Sequence, residues 1–142
     1  MIVIVGGTGN TGRVAAEALL AKGEKVRVVA RDAGKLDALK QKGAEAFAGN
    51  VEDAGYMAKA FEGATAVYLM IPQAHHRENY RAYQDSISDN LVSAITQARV
   101  PYAITLSSMG AQHAEKTGPI AGLHYLEQKL NRIAGLLSLI HI

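Results

Sequence analysis

The chain has 142 residues, a formal net charge of +2 and no cysteine. Its length allows one domain with a real core, and the absence of cysteine excludes disulfides, thiolate metal sites and cysteine nucleophiles. Lysine and arginine are spread along the sequence instead of clustered, so neither nucleic acid nor an anionic membrane is an expected partner.

The first apolar run, Ile2 to Val5, reads as a strand; it is too short for a signal-peptide core and has no basic leader, which makes the cytoplasm the expected location. A turn with glycine at 6, 7, 9 and 12 follows, then a helix from Thr11 to Lys22 with Val14, Ala15, Ala18 and Leu19 on one face, closed by Gly23. Val26 to Ala30 is a second strand. A helix over 33–42, with Leu36 and Leu39 inward, ends at Gly43, and Ala44 to Ala48 is the third strand. A helix from Glu52 to Phe61, a strand from Ala66 to Ile71, a helix from Glu78 to Arg99 carrying Ile87, Leu91, Ile95 and Ala98, and a strand from Tyr102 to Leu106 complete five rounds. A further helix carries the stripe Leu123, Leu126, Leu130 and Ile133, and a sixth strand can begin within 136–142.

The strands are near-continuous apolar runs, as in strands buried on both faces, and each helix must return the chain to a parallel neighbour. The expected fold is therefore α/β: one domain over 1–142, a Rossmann-type doubly wound parallel sheet with helices on both faces.

In this topology the first strand-to-helix turn presents unpaired N–H groups to an anion. Gly6 permits the tight turn, Gly9 lets a pyrophosphate approach the backbone, and Gly12 lets the helix lie close to its strand. The spacing is G-x-x-G-x-x-G, one residue longer in its first gap than the dehydrogenase pattern. Thr8, Asn10 and Thr11 either hydrogen-bond to phosphate or cap the helix.

The blocks GGTGNTGR, VRVVARD, AGNVED, AVYLMIP and VPYAITLSSMGA, in this order, resemble the atypical short-chain dehydrogenase/reductase proteins, closest to the NmrA-like branch with its NADPH-dependent quinone reductases. The resemblance implies a nucleotide at the glycine turn. It also implies a contact to adenine from the segment Gly49, Asn50 and Val51, where the family usually has Gly-Asp and Asn50 stands in for the aspartate, and backbone contact to the nicotinamide ribose from Met70, Ile71 and Pro72. Strand-end turns are the alternative reading at both places.

Cofactor choice follows from the second strand. NAD-selective sites place an acidic residue about twenty positions beyond the turn, and NADP sites place an arginine there. Arg31 stands nineteen residues after Gly12, and a guanidinium grips a 2′-phosphate in a bidentate fork. Arg13 can reach the same phosphate, as its equivalent does in similar proteins. NADP(H) is thus the preferred cofactor; Asp32, beside Arg31, keeps NAD(H) admissible and is also a candidate to neutralise that arginine.

Two catalytic arrangements compete. Tyr125 and Lys129 have the Y-x-x-x-K spacing in which a lysine lowers a phenol's pKa for proton transfer, yet they lie on a flank of the apolar stripe like many solvated pairs. Alignment of LHYLEQKLNRIAG with the family places His124 where NmrA-like reductases keep a histidine or lysine near the nicotinamide, and an imidazole is a residue type suited to proton transfer to a quinone oxygen. No metal is expected: His75 and His76 are adjacent and would point about 100° apart on a helix. Ser107 and Ser108 lack a G-x-S-x-G turn and an evident base.

The resemblance implies hydride transfer from NADPH to a small quinone-like or related carbonyl acceptor. Its alternatives are a non-catalytic NADP-sensing regulator and an extended-family epimerase or dehydratase. Family members continue well beyond Ile142 with a substrate lobe, so the chain reads as a fragment that binds NADP weakly and turns over nothing by itself.

Overall fold

Period-2 side chains let a strand bury both faces, and β1 (Ile2–Val5) does so by turning Val3 and Val5 to one side and Ile4 to the other. The computed structural model describes residues 1–74 and 76–136, and the backbone of 139–140. With β1, the strands β2 (Val26–Ala30), β3 (Glu45–Ala48), β4 (Ala66–Leu69), β5 (Ala103–Leu106) and β6 (Leu139–Ile140) form one sheet in the order β3-β2-β1-β4-β5-β6. Every neighbouring pair is parallel, and Ile2 stands opposite both Val26 and Ala66. The winding direction reverses between β1 and β4, which is the doubly wound Rossmann arrangement.

The crossovers are α1 (Asn10–Ala21), α2 (Asp37–Gln41) after a 3-10 turn at Gly34–Leu36, α3 (Ala54–Phe61), α4 (Tyr80–Ala98) and α5 (Ile120–Leu130). One face of the sheet holds the larger core, where Met57 and Phe61 of α3, Ile87, Leu91 and Ile95 of α4 and Leu126 and Leu130 of α5 pack on Val3, Val5, Val67 and Leu69. The other face is thinner. Ala16 of α1, with Leu36 and Leu39, covers Ile4, Val26 and Val28.

Most elements match their predicted extents to within about two residues; the second helix opens as a 3-10 turn, and α5 ends at Leu130, before the Ile133 of its predicted stripe. α3 starts at Ala54 because Asp53 accepts from the Tyr56 N–H at 2.9 Å, and α4 starts at Tyr80 because Asn79 accepts from the Ala82 N–H at 3.0 Å. β4 stops at Leu69, two residues before its predicted end; its last ladder partner is Thr105, and Pro72 just beyond has no N–H to continue the pairing. The expected sixth strand is present at 139–140, where Thr105 faces Leu139 and Leu106 faces Ile140.

The predicted inner face of α1 is corrected. Val14 is 61% exposed and Ala18 is exposed, whereas Gly12 and Ala16 are buried. The helix lies so close to the turn that a Cβ at Gly12 would sit 2.5 Å from the Gly6 carbonyl oxygen. Steric room, and not apolar size, selects the inward residues here.

At the other end of the strands, Arg27 joins three elements. Its Nε donates to Glu45 Oε1 at 2.9 Å, its Nη1 donates to the carbonyls of Ala60 and Glu62 at 2.7 and 3.0 Å, and its guanidinium lies 5.4 Å from the Phe47 ring centre.

Candidate functional site

The site begins where β1 runs out. Gly6 and Gly7 both donate to the Val29 carbonyl, at 2.9 and 3.4 Å, which ties the turn to β2. Gly6 adopts φ +70°, the conformation that favours glycine. Gly7, to which motif spacing gave no role, is buried, and a Cβ there would lie 2.2 Å from Val28 Cγ1. Gly9 is extended at φ −81° and forms the N-cap of α1 without any side-chain cap bond. The alternative that Thr8, Asn10 or Thr11 caps the helix is therefore not realised, and no acidic residue stands in the first turn. Thr11 Oγ1 instead accepts from the Tyr68 hydroxyl at 3.0 Å.

Gly6, Thr8, Gly9, Asn10, Thr11, Arg31, Val51 and Pro72 line one cleft of about 440 Å³, at the carboxyl ends of β1, β2 and β4. Val29, Ala30, Met70 and Gln73 complete it; of these the sequence pointed only to Met70, beside Ile71 and Pro72. The strand ends themselves were the available signal, since ligands in such sheets lie beyond them. Among the described residues no acidic side chain lines the cleft.

The remaining predicted residues stand apart from its walls. Gly12 lies beneath the turn, and Arg13 is exposed on α1. Asn50 is exposed, and its Oδ1 accepts from the Glu52 N–H at 3.1 Å, the turn role given above as the alternative. Ile71 faces a second cavity.

Arg31 is exposed at the cleft, and Asp32 does not neutralise it. Asp32 Oδ1 accepts from the Gly34 N–H at 3.0 Å and the Lys35 N–H at 3.4 Å, while Oδ2 stands 4.0 Å from Lys35 Nζ. Among the described residues Arg31 enters no ion pair. A guanidinium and an uncapped helix N-terminus thus act on the same cleft, and both favour an anion.

The second cavity, of about 260 Å³, adjoins the first through Met70 and Gln73 and is walled by β4, β5 and the starts of α4 and α5. Two of its lining side chains are buried polar groups. Gln84 Nε2 donates to the Pro119 carbonyl at 2.9 Å, and the amide lies against Gly122, where a Cβ would be 2.4 Å from Gln84 Cδ. Ser107 donates its hydroxyl to Glu127 Oε1. The sequence offered no base near Ser107; the fold brings one from α5, although no nucleophile elbow accompanies it.

The Y-x-x-x-K pair lines neither cavity. Tyr125 donates to Asp89 Oδ1 at 3.0 Å, and Lys129 Nζ stands 2.6 Å from the same oxygen and 4.8 Å from the Tyr125 ring centre. The hydrogen bond to Asp89 pushes the Lys129 pKa up. His124, half-buried, is also outside both linings, and its Nδ1 bonds the Ala111 carbonyl at 2.7 Å. A carbonyl only accepts, so Nδ1 carries the proton and Nε2 is the ring's remaining acceptor. His75 lies outside the described residues; His76 is exposed. Among the described residues no three histidine, aspartate or glutamate side chains gather where they could hold a metal, and no helix is long and apolar enough to cross a membrane.

A family model described as NAD(P)H-binding matches residues 6–132. A search of curated proteins found no match. Among solved structures, a nucleoside-diphosphate-sugar epimerase from Staphylococcus aureus is similar with a TM-score of 0.79 and 20% identity over 92% of this chain and 46% of its own. The triphenylmethane reductase of Citrobacter sp., solved with NADP(H), gives 0.76 and 21% over 92% and 45%. An NADPH-dependent quinone oxidoreductase from Escherichia coli, solved with NADPH, gives 0.75 and 20% over 92% and 44%. The chain spans less than half the length of each of these three proteins.

Proposed function

The chain belongs to the NAD(P)H-binding family, and from that premise we propose that it is the cofactor half of a cytoplasmic oxidoreductase that uses NADPH to reduce a quinone or related carbonyl acceptor. The observation that carries the cofactor choice is Arg31, which faces the cleft while Asp32 is occupied by the following turn. An acidic side chain available for ribose hydroxyls is what an NAD site needs; here the exposed group is a cation, suited to the 2′-phosphate.

The residues present fit such a cofactor. The uncapped start of α1 offers N–H groups to the pyrophosphate, Gly9 leaves room for it, and Thr8, Asn10 and Thr11 stand beside it. Val51 lies on the adenine side, with Asn50 held in its turn; Ile71 and Pro72 lie on the nicotinamide side. Arg13 stands on the exposed flank of α1, outside the cleft walls, and is assigned to the same phosphate by the resemblance alone. When bound, the cofactor supplies a hydride. The protein's part is to hold the acceptor in the second cavity, against the nicotinamide side of the cofactor. His124, which lines neither cavity, is held through Nδ1 by the Ala111 carbonyl, and its assignment to the acceptor rests on the alignment with the family alone.

The quinone acceptor is supported by the NADPH-dependent quinone oxidoreductase among the similar structures. The similar structures also include a nucleoside-diphosphate-sugar epimerase, but Tyr125 and Lys129, on which an epimerase mechanism would rest, are both engaged by Asp89. The test is NADPH oxidation by the longer protein carrying this domain, against a panel of quinones. Retained NADPH binding with no oxidation of any quinone or carbonyl would replace the reductase by a sensor.

A further inference from the structure

Ser107 is buried at the end of β5, and Glu127 is buried on α5; each is less than a tenth exposed. The Ser107 hydroxyl proton is committed to Glu127 Oε1. A carboxylate oxygen accepts and does not donate, so the direction of this bond is fixed by chemistry. A serine can ordinarily turn its hydroxyl to suit either kind of partner; this one turns only by giving up its hydrogen bond to a buried carboxylate. Ser107 also lines the second cavity, whose walls include the apolar Ile71, Leu106, Ile120 and Leu123 and the polar Tyr80, Gln84 and Ser108. A ligand that reaches Ser107 Oγ therefore meets lone pairs only.

We propose that Glu127 positions Ser107 as an obligate hydrogen-bond acceptor, and that the second cavity consequently selects an apolar, ring-sized molecule bearing a hydroxyl or amino group that donates to Ser107 Oγ. A bare quinone carbonyl makes no hydrogen bond there. The groups that do are the hydroxyl of a reduced product, or a hydroxyl or amino substituent on the acceptor. The proposal rests on the reading of this cavity as the acceptor site and narrows its substrate class.

The pair 1-naphthol and 1-methoxynaphthalene separates the cases, because the rings are the same and only the first has a proton to give. Calorimetric titration of the chain, with NADPH binding measured separately on the same preparation, should show 1-naphthol binding about tenfold more tightly. Ser107→Ala should erase that preference. Glu127→Gln should reverse or abolish it, because the glutamine amide can donate to Ser107 Oγ and release its proton toward the cavity. Equal binding of the two probes, or no binding of either, overturns the proposal, and so does a preference that survives Ser107→Ala, which would be steric. NADPH binding with no probe preference removes this inference alone; failure to bind NADPH removes the reductase reading and leaves the probe preference to be judged by itself.

Discussion

The two cavities share Met70 and Gln73 and are built in opposite ways. The first is made of backbone: a turn tied to Val29, a helix start without a side-chain cap, and glycines against which the chain packs. Its one charged side chain projects into the cleft with no ion-pair partner among the described residues. The second is made of side chains held by other elements, Gln84 by Pro119 and Ser107 by Glu127. Backbone recognition suits a ligand whose phosphates are always the same, and held side chains suit one whose shape must be discriminated.

The comparison breaks most directly at Gly9. Its backbone dihedrals suit any residue, and a Cβ there would be 3.2 Å from the Gly6 oxygen, so Gly9→Val should fold. Its side chain would stand where the pyrophosphate approaches, and nucleotide affinity measured by fluorescence titration should fall by about a hundredfold or more. Wild-type affinity in a folded variant would remove the backbone reading of the first cleft.

Arg31→Ala should weaken NADPH by roughly 1.5–3 kcal/mol, the scale of a charge-assisted contact, and leave NADH nearly unchanged in the same titration. Equal losses for both cofactors would mean that Arg31 supports the fold instead of reading the phosphate.

A smaller effect is expected at the wall of the second cavity. Gly122→Ala gains helix propensity but drives a methyl group into Gln84, and the balance of about 1 kcal/mol gained and about 1–3 kcal/mol lost predicts a modestly lower denaturation midpoint. An unchanged midpoint would show that Gln84 can move, against the picture of held side chains.

Tyr56 provides a pH test beside the first cleft. Burial pushes its phenol up to about 12, and its hydroxyl donates to the Phe47 carbonyl. The neutral form is favoured in the folded state, so its stabilising contribution is complete below pH ~10, the unfolded value, and is lost as pH rises toward 12. Alkaline melts of Tyr56→Phe should decline less steeply over that interval than those of the parent.

The smallest effect is expected at Tyr125. Tyr125→Phe loses one exposed hydrogen bond to Asp89 and should change NADPH affinity, and turnover in the longer protein, by less than about twofold. In that protein His124→Ala should lower turnover while leaving NADPH affinity intact. The reverse outcome would establish the tyrosine–lysine mechanism.

Much of the first cleft was legible because its physics is local. Glycine spacing, a strand before it and a helix after it specify the turn, and Arg31 sits at a fixed distance along the chain. The inward face of α1 was not legible, since Val14 is the more apolar residue and only the closeness of the helix to Gly6 explains why Gly12 and Ala16 face inward. Nor was the second cavity. Ser107 and Glu127 are twenty residues apart on different elements, and Gln84 meets Gly122 only after two helices pack. Neither pairing leaves a periodicity or a spacing to read. Asn50 shows the converse case: its type and position fit a ligand contact, while its carbonyl oxygen serves a turn.

Arg27 sets an order of events. Its guanidinium is held by Glu45 and by the carbonyls of Ala60 and Glu62, groups 18 to 35 positions later in the chain. During synthesis from the amino end, β1, β2 and β3 are all made before the last of these acceptors exists. Until residue 62 has left the ribosome, a cation that is mostly covered in the finished sheet keeps its water, and that side of the early sheet stays open to its neighbours in the cell. The nascent protein thus passes through a length at which its glycine turn is complete but the foot of its sheet is not yet latched.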